Sequence, residues 1–61
     1  MITKVYYIEN SSALDKAIDT ITKRIPCFCE VENIEMNYSK VTICMRDNDA
    51  IFVERTLAPV V

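Results

Sequence analysis

The sequence predicts an α+β fold of two layers, β-α-β-β-α, in which a three-stranded mixed sheet of strand order 1-3-2 carries both helices on one face. One long stretch has the 3.6-residue period of an amphipathic helix, and the stretches around it alternate as strands do. The chain has 61 residues, enough for a single domain, residues 1–61, with one core. A domain of this size buries only about 60% of the surface of its unfolded chain, and 51% of these residues are hydrophobic. Some apolar surface is therefore expected to remain available to a partner.

The first strand is predicted at Ile2–Ile8, which is rich in β-branched and aromatic residues. Its two faces are Thr3, Val5 and Tyr7 on one side and Ile2, Lys4, Tyr6 and Ile8 on the other. We assign the first set to the core, because the other choice buries the ammonium group of Lys4.

The first helix is predicted at Ser12–Ile25, followed by Pro26, which disfavours the α conformation in the residue before it. Ser12 with Asp15 three residues later imitates a capping box, and Ser11 is the alternative cap. One stripe of this helix is apolar and consists of Leu14, Ala17, Ile18, Ile21 and Ile25.

The second strand is predicted at Cys27–Asn37, and its alternation changes parity halfway. Cys27, Cys29 and Val31 share one face, whereas Ile34 and Met36 have the opposite parity. One extra residue near Glu32 and Asn33 brings both sets to the same face, which predicts a β-bulge there.

The third strand is predicted at Lys40–Arg46, with Val41, Ile43 and Met45 directed to the core. A tight turn through Tyr38 and Ser39 joins it to the second strand. The expected pairs are Met36 with Val41, Ile34 with Ile43, and Val31 with Met45.

A second, short helix is predicted after Asp47, Asn48 and Asp49, which offer three N-caps. Its apolar positions are Ala50, Val53 and Leu57, and it ends before Pro59. The alternative is a fourth strand that begins at Ile51–Val53.

The sheet face without helices is the predicted interaction surface, since no part of the chain is left to cover it. The face assignments above place six residues on it: Tyr6, Ile8, Phe28, Thr42, Cys44 and Arg46.

Catalysis is not predicted from this composition. There is no histidine for acid–base work near neutral pH and no glycine for a phosphate-binding loop, so we expect neither an enzyme nor a cofactor. Glu30, Glu32 and Glu35 are interpreted as a charged strand edge that discourages aggregation rather than as catalytic carboxylates. The three cysteines are one ligand short of a closed zinc site, and Cys44 is expected to point away from the other two, so no metal site is predicted.

The net charge of −2 gives no attraction to phosphate backbones or anionic membranes. No apolar run approaches the roughly 20 residues that span a bilayer, no signal peptide is seen, and the odd number of cysteines favours reduced thiols. We therefore expect a cytoplasmic protein without a membrane partner. Aromatic residues on an open sheet are typical of single-strand RNA binders, which keeps nucleic acid as an alternative partner.

The C-terminal run from Asp47 to Pro59 resembles the end of small uncharacterised proteins carried on conjugative and phage-like elements of Gram-positive bacteria. The run holds no chemical motif, and the resemblance implies an accessory protein of a mobile element without implying an activity.

These observations together predict a non-enzymatic protein-interaction module. Its partner is expected to be a protein, either a host protein or a second copy bound through the open sheet face or an edge strand. The alternative prediction is a small nucleic-acid-binding regulator that uses the same face.

Overall fold

A computed structural model describes all residues, 1–61, and confirms the predicted fold class. The elements are strand β1 (Ile2–Glu9), helix α1 (Ser12–Arg24), strand β2 (Cys27–Glu35), strand β3 (Tyr38–Met45), a short 3-10 turn (Asp47–Asp49) and helix α2 (Ala50–Leu57). The sheet has the predicted order β1-β3-β2, and it is antiparallel rather than mixed, because both outer strands pair antiparallel with β3. β1 and β2 therefore run in the same direction without touching, as the predicted order requires.

Helix α1 forms where the apolar stripe predicts it, and its first turn is capped by Ser11 rather than Ser12. The Ser11 hydroxyl accepts a hydrogen bond from the backbone N–H of Leu14 at 3.1 Å. Asp15 lies in the first turn and Lys23 and Arg24 in the last, each sign opposing the helix dipole. The helix ends one residue earlier than predicted.

The core lies between the sheet and the two helices. Val41, Ile43 and Met45 of β3 are completely buried, as predicted for the central strand. The other members of this apolar cluster come from β1 and the two helices: Ile8, Leu14, Ala17, Ile21, Val53 and Leu57. Both helices thus cover the same sheet face, and α2 is a helix rather than a fourth strand.

The face assignment of β1 was wrong. Ile2, Lys4, Tyr6 and Ile8 are the residues directed toward the helices, while Thr3, Val5 and Tyr7 are exposed on the other side. Lys4 avoids burial of its charge because its Nζ reaches the edge of the layer and donates to Oε1 of Glu54 on α2 at 2.6 Å. Its aliphatic stem lies along the apolar layer and its ammonium remains accessible to water, so the objection to this face does not apply.

The predicted pairing of β2 with β3 was also wrong. The turn lies at Met36–Asn37 rather than Tyr38–Ser39, so Val31 opposes Val41, Cys29 opposes Ile43 and Cys27 opposes Met45. A bulge does occur, between Asn33 and Glu35, one residue beyond the expected position. The predicted register maximised contact between apolar residues, whereas the chain leaves Met36 at the tip with 94% of its surface exposed.

A polar cluster fixes this end of the molecule. The buried Ser39 hydroxyl lies 2.5 Å from Oδ1 of Asn10 and 2.8 Å from Oδ1 of Asn33, and its single proton serves one of them at a time. The amide of Asn10 donates to Oδ1 of Asn33 at 3.2 Å, and its backbone N–H donates to the carbonyl of Asn37. The loop after β1 is thereby attached to the β2–β3 turn.

Neither helix combines the length and the apolar character needed to cross a membrane.

Candidate interaction surface

The side of the sheet that faces away from the helices, called here the open face, is built from alternate residues of all three strands. The strand register sets these residues in four rows across β1, β3 and β2. The rows are Thr3–Cys44–Phe28, Val5–Thr42–Glu30, Tyr7–Lys40–Glu32 and Glu9–Tyr38–Glu35.

Large apolar side chains of the open face are accessible to solvent. Phe28 is 64% exposed, Tyr7 61% and Val5 45%, although each belongs to a strand with regular partners. Both helices lie on the opposite side, and none of residues 1–61 covers these rings. Exposed apolar side chains on one face of a sheet, with polar residues among them, are typical of a docking surface.

The open face carries more negative than positive charge. Its four carboxylates lie on the two edge strands, namely Glu9 on β1 and Glu30, Glu32 and Glu35 on β2. Its only cation is Lys40 on the central strand. Lys40 has no carboxylate within 4.0 Å, so it is not neutralised by a direct ion pair. This distribution disfavours a polyanionic ligand.

At the turn end, the open face contains a shallow cleft of about 270 Å³ lined by Tyr7, Ile34, Glu35 and Tyr38. All three strands contribute to it. Ile34 keeps the parity of Phe28, Glu30 and Glu32, because the bulge lies between Asn33 and Glu35 rather than before Ile34. It therefore lines the cleft with Tyr7 and is not in the core, where it was predicted.

Three of the six residues predicted for the interaction surface lie on the open face, namely Phe28, Thr42 and Cys44. Tyr6 and Ile8 lie on the helix side, since Ile8 is 1% exposed and Tyr6 packs against the core cluster. Arg46 lies beyond the end of β3, and its Nε donates to Oδ2 of Asp49 at 3.2 Å. Tyr6 and Ile8 were misplaced because the wrong face of β1 was assigned to the core.

Val5, Tyr7 and Ile34 lie on the open face, although the sequence pattern predicted all three in the core. A signal for β1 was present, since Ile2, Tyr6 and Ile8 offer more apolar volume than the set that contains Thr3. The side chain of a lysine on an edge strand can extend past the sheet and keep its ammonium in water. Its presence therefore does not show which face of the strand is buried.

The hydroxyl of Tyr6 is buried without a hydrogen-bond partner. Its burial raises the pKa of the Tyr6 phenol, and the neighbouring ammonium of Lys4 partly opposes this effect. The pKa of Lys4 is itself raised, first by its hydrogen bond to Glu54 and then by the charge of that carboxylate. The hydrogen bond between Lys4 and Glu54 connects β1 to α2 on the helix side. Neither this pair nor the Tyr6 hydroxyl lies on the open face.

All three cysteines are free thiols, and they lie on different sides of the sheet. Cys27 and Cys29 point toward the helices, opposite Met45 and Ile43, whereas Cys44 is on the open face beside Phe28. Burial raises the pKa of the Cys27 and Cys29 thiols, so the reactive thiolate form of each is disfavoured at neutral pH. The structure brings no three metal-binding side chains together.

Comparison of the chain with protein-family models, with curated proteins and with solved structures finds no match.

Proposed function

We propose that this protein is a small non-enzymatic interaction module that binds another protein through its open face. The observation that carries the proposal is the exposure of Tyr7 and Phe28 on the side of the sheet that carries neither helix. Aromatic side chains supply much of the binding energy in protein interfaces, because they bury a large area at a low cost in conformational entropy.

The two sheet edges are less suited to binding than the open face. β2 carries Glu30, Glu32 and Glu35 and contains a bulge, two features by which edge strands avoid pairing with other chains. β1 carries Lys4 on its helix side, and an inward-directed charge on an edge strand has the same effect. Docking onto the face is therefore favoured over addition of a strand.

The absence of catalysis is supported by the chemistry of the side chains. The chain has no histidine, and the thiols of Cys27 and Cys29 have raised pKa values that make them poor nucleophiles. The acidic character of the open face favours a protein partner over nucleic acid. The relation to mobile elements and the cytoplasmic location stay predictions from the sequence.

The test places a photo-crosslinking residue, p-benzoylphenylalanine, at Phe28 on the open face or at Thr20, which is exposed on α1. We expect crosslinked protein adducts from position 28 and not from position 20, in cells that express the protein. Sedimentation velocity of the wild type and of Phe28→Ser at micromolar concentration then shows whether a second copy is among the adducts.

A monomer at all concentrations that forms no adduct from position 28 contradicts the proposal. So does the same set of adducts from both positions, because the contact is then not specific to the open face. A shift of single-stranded oligonucleotides at low salt favours the nucleic-acid alternative instead.

A further inference from the structure

The cleft at the turn end of the open face has a lining suited to a cation. Two tyrosines, Tyr7 and Tyr38, and one glutamate, Glu35, line the same space. The π-face of an aromatic ring attracts ammonium and guanidinium groups, and a carboxylate supplies the countercharge and hydrogen-bond acceptors. Ile34 adds an apolar wall against which the aliphatic part of a long basic side chain can pack.

The size of the cleft suits a single side chain. Its volume of about 270 Å³ lies below the roughly 300–1,000 Å³ of clefts that hold drug-sized molecules. The cleft is also open along the sheet, so its occupant continues onto the surface formed by Val5 and Phe28. A free small cation would leave those side chains uncovered, whereas a segment of protein covers them.

Charges around the cleft favour the same ligand. In register, Tyr38 lies between Glu9 and Glu35, and Glu32 is in the next row. Lys40 is the only cation in these rows, so the neighbourhood remains negative. Face-to-face pairing of two copies brings this excess of carboxylates against itself, which makes a second copy a poor occupant.

We propose that the cleft of Tyr7, Ile34, Glu35 and Tyr38 binds an arginine or lysine side chain of a basic, partly apolar segment of another protein. This inference rests on the proposed function, because it specifies the partner of the same open face.

The probe is a capped peptide of alternating valine and arginine, compared with a twin in which citrulline replaces each arginine. Citrulline keeps nearly the same shape and removes the charge. Titration is followed in ¹⁵N-labelled protein by the backbone amide shifts of all residues. We expect the largest shifts at residues 7, 34, 35 and 38, and binding of the arginine peptide at least about fivefold tighter than that of its twin.

Variants then separate the contributions of ring and charge. Tyr7→Phe keeps the ring and is expected to retain binding, whereas Tyr7→Leu removes it and weakens binding about fivefold. Glu35→Gln is expected to weaken binding by a similar factor. The matched control is Asp15→Asn, which makes the same change of charge on α1, on the other side of the sheet, and it is expected to change binding less than about twofold.

Equal affinity for the two peptides overturns the inference, and so does an equal effect of Asp15→Asn and Glu35→Gln. A concentration-dependent dimer that Glu35→Gln dissociates overturns it in favour of a second copy. Equally tight binding of tetramethylammonium and the arginine peptide overturns it in favour of a free cation. If the arginine peptide fails while crosslinking from position 28 still identifies a partner, only the identity of the ligand is wrong; if both fail, the proposed function is wrong as well.

Discussion

Truncation of Ile8 is expected to destabilise the protein far more than truncation of Val5, although both residues are aliphatic and lie on the same strand. Ile8 is 1% exposed within the core cluster, and Ile→Ala at such a site costs about 2–5 kcal/mol. Val5 is 45% exposed on the open face, so Val5→Ala is expected to cost less than about 1 kcal/mol. At roughly 0.05–0.15 kcal/mol per residue, the whole 61-residue chain is stabilised by on the order of 3–9 kcal/mol. Ile8→Ala therefore removes a large part of the total.

The assay is urea denaturation at 25 °C, followed by far-UV circular dichroism, for the wild type and both variants. If Ile8→Ala does not fold, Ile8→Val is measured instead, with an expected loss of about 0.5–1.5 kcal/mol. An equal or larger loss for Val5→Ala refutes the assignment of the two faces of β1, and with it the position of the open face.

Three further predictions concern the polar cluster, the helix cap and the buried thiols. Ser39→Ala is expected to lower the free energy of unfolding by about 1–3 kcal/mol, because the buried proton shared by the amide oxygens of Asn10 and Asn33 is lost and Oδ1 of Asn10 keeps no donor; urea denaturation with Thr42→Ala as control measures this, and an equal loss for both contradicts it. Ser11→Ala removes the cap of α1 and is expected to cost about 1 kcal/mol, whereas Ser12→Ala is expected to cost less; the reverse order contradicts the cap assignment. The folded pKa of the Cys29 thiol is raised by burial, so folding stability is expected to be fully present below pH 9 and to fall as the pH rises through the folded pKa. Denaturation at pH 7 to 10 under reducing conditions is expected to show a shallower decline for Cys29→Ala, and an unchanged slope contradicts this.

How much of the fold can be predicted from the sequence depends on how many independent signals mark each element. Helix α1 has an apolar stripe, a cap and a terminating proline, and these three signals predict both of its ends to within one residue. The core of β3 has a clean alternation, and Val41, Ile43 and Met45 are buried as predicted. β1 has apolar residues on both faces, so the prediction of which face is buried depended on Lys4 alone. Its ion pair with Glu54 on α2 is a tertiary contact that local pattern does not reveal.

The candidate surface is harder to predict because it depends on register. The turn at Met36–Asn37 contains no glycine and no residue with positive φ, so it lacks the local signature of a two-residue hairpin. The bulge also lies between Asn33 and Glu35 rather than before Ile34, so Ile34 lines the cleft with Tyr7 instead of the predicted core. Phe28 was correctly predicted on the open face. Its neighbours Cys27 and Cys29 pair with the buried residues Met45 and Ile43, so alternation along β2 directs Phe28 to the other side.

Relaxation of side-chain protons by a soluble gadolinium chelate tests most directly whether one side of this sheet is bare. In a dilute sample, the ring protons of Tyr7 and Phe28 are expected to relax as fast as those of exposed residues on α1, while the methyl protons of Ile8 and Ile43 stay protected. Rings of Tyr7 and Phe28 that are as well protected as the Ile43 methyls at every concentration contradict the existence of an open face.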